Sequence, residues 1–264
     1  MPTANINGVQ IAYRDEGTGR PILLIHAFPL RGAMWEGQIA ALAREYRVIA
    51  PDLRGFGTSQ IVPRTSSLDQ YADDLAGLLD QLGLGPERVV LGGLSMGGYI
   101  SFAFLRRHHE RVSALILADT RAQPDTAEGK QGREQSARLA EEQGPRAIAD
   151  QMLPKLLSAN APEQLRAEVR HMIESNNRAG IAAALRAMAV RPDSTPLLAT
   201  IAVPTLVIVG AEDAFTPPAD ARAMHTAISN SRLVELPGAG HLSNLEAPEA
   251  FNAAVGQLLD SSVA

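Results

Sequence analysis

Short unbroken apolar runs alternate along the chain with longer stretches in which apolar side chains recur every three or four positions. The first pattern predicts strands buried on both faces, and the second predicts helices with one buried side. The unbroken runs are Pro21–Ile25 and Val89–Leu91, and the strand-like stretches Arg47–Ala50, Val112–Ala118, Pro204–Val209 and Arg232–Leu236 carry a polar residue or two among the apolar ones. Helical spacing covers Ala33–Tyr46, with Trp35, Ile39 and Leu42 on its apolar side, then Ser67–Leu82, Tyr99–His108, Pro217–Ile228 and Ala247–Leu259. Ser67 is placed to cap the second of these, and Gly83 and Gly85 to end it. Ile6–Arg14 predicts an opening hairpin, because Asn7-Gly8 suits a tight turn. Strands alternating with helices imply a parallel sheet with helices on both faces, the α/β class.

One region breaks the alternation. Residues 122–195 contain no strand-like run, are rich in Ala, Glu, Gln and Arg, and are interrupted at Gly144-Pro145, Pro154, Pro162 and Gly180. This predicts a helical insertion, 122–195, in a core domain built from 1–121 and 196–264. Of its apolar residues, such as Met152, Leu156, Ile173, Leu185 and Met188, most are expected to pack against the core and a minority to face a pocket.

In parallel sheets, chemistry collects at the carboxyl ends of the strands. Phe28, Asp52, Ser95 and Asp119 all lie just past such ends. Ser95 is the most constrained. Val89–Gly98 reads as a strand, a tight turn and a helix start, with glycines two residues before and two after the serine. Side chains at those glycines would strike a neighbouring strand or helix, and the turn strains the backbone at the serine. The hydroxyl then stands clear of the sheet, above helix-start N–H groups. A serine that merely caps the helix is the plainer alternative.

A serine hydroxyl is a weak nucleophile and needs an adjacent base, itself held by a third group. Among the histidines, His108 and His109 end a helix on a polar stretch, His171 and His225 fall inside predicted helices, and His26 ends an early strand. His241 differs. It lies in the loop Pro237-Gly238-Ala239-Gly240-His241 directly after a strand, where a side chain can project over the strand ends. Two acids compete to hold it: Asp213, a few residues past a buried strand, and Asp119, at the end of another.

Composition narrows the partners. A chain of 264 residues, 45% hydrophobic, suits one α/β domain with an insertion. The formal net charge is −5, which argues against nucleic acid or an anionic membrane surface. There is no cysteine, so disulfides, thiolate metal sites and thiol nucleophiles are excluded. The N-terminus lacks a basic stretch followed by a long apolar run, and no apolar run approaches the roughly 18 residues that span a bilayer. A cytoplasmic protein with a small-molecule partner is expected.

The chain resembles the α/β-hydrolase family, and small bacterial carboxylesterases and oxoadipate enol-lactonases within it. The resemblance rests on Gly93-Leu94-Ser95-Met96-Gly97, Asp52-Leu53-Arg54-Gly55-Phe56-Gly57-Thr58-Ser59, Gly210-Ala211-Glu212-Asp213 and Gly240-His241. It implies a mostly parallel central sheet flanked by helices, with the insertion as a small helical cap. The family order of serine, acid, histidine favours Asp213 over Asp119. The resemblance also implies an oxyanion hole from the backbone N–H groups of Met96 and Phe28, the second set by His26-Ala27-Phe28-Pro29. Ala27 departs from the glycine usual there. His26 is then a loop brace rather than a base. No metal or organic cofactor is implied, and serine at position 95 argues against the branches that use aspartate there.

The implied activity is a serine esterase with a Ser95–His241–Asp213 triad acting on small to medium acyl esters. A lactonase for a carboxylated lactone would need a fixed cation in the pocket, with Arg121, Arg186 and Arg191 as candidates by position. A carbon–carbon hydrolase would use the same triad. A ligand receptor that keeps the triad but turns over poorly is the reading from outside the enzymes.

Overall fold

The computed structural model describes residues 1–62 and 67–262; residues 63–66 and 263–264, which the sequence reading places in the core domain, lie outside it. Asn7 and Gly8 adopt left-handed backbone, with φ 50° and 79°, and turn β1 (Thr3–Ile6) into antiparallel β2 (Val9–Glu16). This is the hairpin expected from Asn-Gly, with its first strand starting earlier than predicted. Next come β3 (Pro21–Ile25), α1 (Glu36–Leu42), β4 (Arg47–Pro51) and α2 (Leu68–Gln81). They are followed by β5 (Val89–Leu94), α3 (Met96–His108) and β6 (Val112–Ala118).

The chain then runs through α4 (Ala127–Gln143), α5 (Pro145–Leu156), α6 (Glu163–Glu174), α7 (Arg178–Ala189) and α8 (Thr195–Leu198). The strand–helix rhythm resumes with β7 (Thr205–Gly210), α9 (Pro218–Ala227), β8 (Ser231–Leu236), α10 (Ser243–Glu246) and α11 (Pro248–Ser261).

The strands form one sheet in the order β1-β2-β4-β3-β5-β6-β7-β8. The pairs β1–β2 and β2–β4 are antiparallel, and the others are parallel. The step from β3 to β4 runs one way across the sheet, and every later step runs the other way. Because such crossovers are right-handed, α1 takes one face, and α2, α3 and α9 the opposite one. Trp35, just before α1, stacks near Phe251 of α11, so α11 shares the face of α1. The reversal leaves a crevice beyond the carboxyl ends of β3 and β5, the position where α/β sheets bind ligands.

The sequence pattern overextends one helix. Ala33–Tyr46 is a 3-10 turn, Gly32–Trp35, followed by α1 alone. The chain must already re-enter the sheet at Arg47, whose N–H bonds the Arg20 carbonyl. Tyr46 N–H therefore returns to Leu42 O and the helix closes there. In the other direction, α3 starts at Met96 rather than Tyr99, and α10 adds a turn of helix between the His241 loop and the last helix.

Candidate active site

Ser95 occupies the turn between β5 and α3 with φ 58° and ψ −111°, a left-handed backbone that few L-residues tolerate. Its main chain is nevertheless fully engaged. Ser95 N–H donates to Ala118 O of β6 at 2.9 Å, and its carbonyl accepts from Gly98 N–H at 2.9 Å and from the Thr120 hydroxyl at 2.8 Å. The flanking glycines are steric necessities. A Cβ on Gly93 would lie 2.2 Å from Gly97 O, and one on Gly97 would lie 2.3 Å from Ile25 O of β3. Helix, turn and strand thus touch through backbone alone, which holds the hydroxyl at one place.

The loop after β8 brings His241 to that place. His241 Nε2 lies 2.8 Å from Ser95 Oγ, and its Nδ1 lies 2.8 Å from Asp213 Oδ2. The carboxylate must accept, so Nδ1 carries the proton and Nε2 faces the serine hydroxyl as an acceptor. Asp213 is fixed in turn. Its Oδ1 accepts the N–H groups of Phe215 at 2.8 Å and Thr216 at 2.9 Å, and its Oδ2 also accepts the Thr216 hydroxyl at 2.6 Å. Burial pushes the Asp213 carboxyl up. The His241 ring and the Thr216 hydrogen bonds outweigh that and hold it below the usual aspartate range. The Phe215 ring packs on the imidazole at 5.1 Å between centroids. Thr216 was not singled out in the sequence, where it is an unremarked residue before Pro217.

Asp119 is a different kind of carboxylate. It is fully buried, its Oδ1 accepts Gly210 N–H at 2.8 Å, and its Oδ2 accepts the Ser243 hydroxyl at 2.5 Å. It therefore ties the end of β7, which leads to Asp213, to the start of α10, just past His241. Burial raises its carboxyl well above the ordinary aspartate range, and the charge of Asp213 raises it further. No hydrogen bond joins it to His241 among the described residues.

Phe28 and Met96 flank Ser95 from two elements. Met96 is the first residue of α3, where N–H groups have no carbonyl partner within the helix. Phe28 follows β3 in a loop braced from several sides. His26 is buried, with Nδ1 bonded to Ala27 O at 2.9 Å and Nε2 accepting Leu53 N–H at 3.1 Å. Burial pulls its pKa down, which keeps the ring neutral in this role. The ring thus links the loops after β3 and β4, as expected of a brace. Asn176, between α6 and α7, donates to Pro29 O at 2.7 Å and accepts Gly57 N–H at 2.7 Å. A buried asparagine of the helical region so fastens both loops, and nothing in the sequence pattern marks it.

A cavity of about 530 Å³ opens above Ser95. Phe28, Tyr99 and Phe215 line it from the sheet side, and Ile148, Met152, Leu185 and Met188 from α5 and α7. Of the predicted apolar stripe, Met152, Leu185 and Met188 are therefore the residues that face the pocket. Of the three candidate cations, Arg121 lines it. Arg186 instead pairs with Glu134 and Glu141 across α4, and Arg191 is buried against Tyr99 with its guanidinium 4.1 Å from the ring centroid. Among the described residues, no group of three or more histidines and acids is arranged to hold a metal ion.

A family model described as the alpha/beta hydrolase fold matches residues 20–248. The 3-oxoadipate enol-lactonase 2 of Acinetobacter baylyi is 34% identical over 259 residues, 96% of this chain and 94% of that protein. A thermophilic esterase from Thermogutta terrifontis superposes with a TM-score of 0.96 at 43% identity, covering 100% of this chain and 99% of the other. The enol-lactonase from Burkholderia xenovorans superposes with a TM-score of 0.91 at 33% identity, covering 98% and 100%.

Proposed function

The chain belongs to the α/β-hydrolase fold family, and from that premise we propose that it hydrolyses carboxylic esters of small to medium acyl groups through an acyl-enzyme on Ser95. The observation that carries this reading is the unbroken hydrogen-bonded chain from Ser95 Oγ through His241 to Asp213, with 2.8 Å at each step, at the floor of the cavity.

In this reading His241 Nε2 takes the Ser95 proton as Oγ attacks the ester carbonyl carbon. The negative charge that develops on the carbonyl oxygen is held by the N–H groups of Met96 and Phe28, each worth about 3–4 kcal/mol in such sites. Asp213 fixes the imidazole tautomer and stabilises its charged form. As the tetrahedral intermediate collapses, the carbon–oxygen bond to the alcohol breaks and His241 returns the proton to that alcohol. Water, activated by His241, then attacks the acyl-serine and releases the acid. Residues 122–195 act as a cap that closes the cavity over the acyl group. A volume of about 530 Å³ suits small and medium substrates rather than polymers or long lipids.

A lactonase reading is favoured by one further observation, the enol-lactonase names of two relatives above. A lactone is an internal ester, so the same residues would act in the same order. Hydrolysis of p-nitrophenyl esters of increasing acyl length, run beside an enol-lactone, tests both. The expected result is turnover by the wild type, best on short acyl chains, and none by Ser95→Ala beyond a residual rate. Substantial turnover by that variant would overturn the assignment of the nucleophile.

A further inference from the structure

Most polar side chains that line the cavity above Ser95 are already engaged. Ser95 and His241 bond each other, the Thr216 hydroxyl donates to Asp213, and the Ser136 hydroxyl donates to Gln151 at 3.2 Å. Arg133 and Arg121 both turn to Asp125, Arg121 only at 3.5 Å. Gln135 and Lys155 are exposed at the rim, where solvent satisfies them.

Tyr99 is the exception. It is only 5% exposed, it lines the cavity, and its hydroxyl makes no hydrogen bond among the described residues. That hydroxyl is not sealed into the wall with the buried polar atoms, so it opens on the cavity. Tyr99 follows Ser95 by four residues, one turn into α3, so its side chain leaves the helix on the side of the serine. The ring cannot swing away. The Arg191 guanidinium covers one of its faces, 4.1 Å from the centroid. That guanidinium is itself fixed: Nη1 lies 2.8 Å from Asp125 Oδ1, and the group donates to the carbonyls of Met188 at 2.9 Å and Gln123 at 3.0 Å.

The other buried lining side chains around it, Phe28, Ile148, Leu185 and Met188, are apolar. A hydroxyl held without a partner in such surroundings costs free energy until an acceptor reaches it. A fixed donor also selects, because a chain that presents an oxygen to it gains a bond that a hydrocarbon chain leaves unmade. We propose that Tyr99 determines specificity, its hydroxyl donating to a neutral oxygen, ether or ketone, carried on the acyl chain of the substrate. That the occupant is an ester rests on the hydrolase reading above. The subsite itself rests on the fixed, unpaired phenol.

The test exchanges methylene for oxygen along the acyl chain. The quantity measured is kcat/KM for p-nitrophenyl hexanoate and for its ether isosteres, the propoxyacetate, the 3-ethoxypropanoate and the 4-methoxybutanoate, in the wild type and in Tyr99→Phe. The variant keeps the ring and its stack on Arg191 and loses only the hydroxyl. The effect of the oxygen on intrinsic ester reactivity is common to both proteins and cancels between them. The ether-to-hexanoate ratio should fall roughly three- to tenfold in Tyr99→Phe, the worth of one neutral hydrogen bond, and should fall most for one oxygen position. A ratio unchanged for every ether in folded Tyr99→Phe, or an equal shift of all the chains as in a merely loosened pocket, would overturn the subsite. Binding separates it from the reaction. In calorimetric titration of Ser95→Ala with the corresponding ethyl esters, adding Tyr99→Phe should lower the ether-to-hexanoate affinity ratio by the same factor. That fall, with no turnover of any ester by the wild type, keeps the subsite and sinks the hydrolase. Ester turnover with neither ratio changed does the reverse.

Discussion

Two buried aspartates stand at the ends of adjacent strands, and their surroundings push them in opposite directions. Asp213 is held low by His241 and Thr216, whereas Asp119 is raised by burial and by the nearby charge of Asp213. The one held low is the one bonded to the imidazole. Asp213→Asn should therefore lower kcat by roughly three to four orders of magnitude, because the amide offers the ring an N–H and favours the wrong tautomer. Asp119→Asn keeps an acceptor for Gly210 N–H and should cost less than about tenfold; steady-state kinetics on both variants compare them directly.

The pH dependence of stability tests the same contrast. A carboxyl whose pKa is raised on folding binds a proton in the native state that the unfolded chain has lost, so its contribution falls as pH rises above about 4 towards the folded value. Asp119→Asn should flatten that decline, by up to about 1.4 kcal/mol per pH unit, in urea unfolding between pH 4.5 and 7. Asp213 has the opposite sign. Its contribution is present above about pH 4 and is lost as pH falls through its depressed value.

At the level of elements, the turn from β5 to α3 concentrates the strain. Serine at φ 58° and ψ −111° costs on the order of 1–3 kcal/mol, a cost that glycine would avoid. Ser95→Gly should thus be more stable than Ser95→Ala by about 1 kcal/mol, although glycine elsewhere is the less stable residue. Thermal unfolding of the two variants measures this, and equal Tm values would show that the turn is relaxed. This element was legible in the sequence because spacing alone forces it: β-branched residues up to a glycine, then a serine, then a second glycine. Backbone contacts as close as that between Gly93 and Gly97 admit no other residue, so the chemistry is written in the letters. The acid was harder to read. Asp119 and Asp213 both follow strands, and the difference between them is made by the depth of burial and by His241 and Thr216, which become partners of Asp213 only after folding. Arg133 stayed hidden among the polar residues of α4 for the same reason, since no periodicity marks which arginine faces a cavity.

Across the whole molecule, the helical region and the sheet are joined at the loops that carry the chemistry. Asn176 holds the loops after β3 and β4. Glu246 of α10 accepts Gly240 N–H at 2.8 Å and Ser158 N–H at 2.9 Å, and so ties the His241 loop to the end of α5. Gly180 of α7 meets Gly55 backbone to backbone, where a Cβ would fall 1.9 Å from Gly55 O. Gly180→Ala should therefore lift α7 from the core, cost about 1–3 kcal/mol in urea unfolding, and raise KM for short esters. The sequence marks Gly180 only as an interruption in a helical stretch; its role depends on a loop 125 positions earlier.

The central claim is that an acyl group passes through Ser95, and the most direct measurement is to catch it there. Wild-type protein mixed with p-nitrophenyl butyrate, quenched in acid and digested with trypsin should carry a butyryl group on the peptide Val89–Arg106, located at Ser95, with nitrophenolate released one-for-one with protein before steady turnover. A butyryl group on another residue, or full steady turnover by Ser95→Ala, would contradict the account.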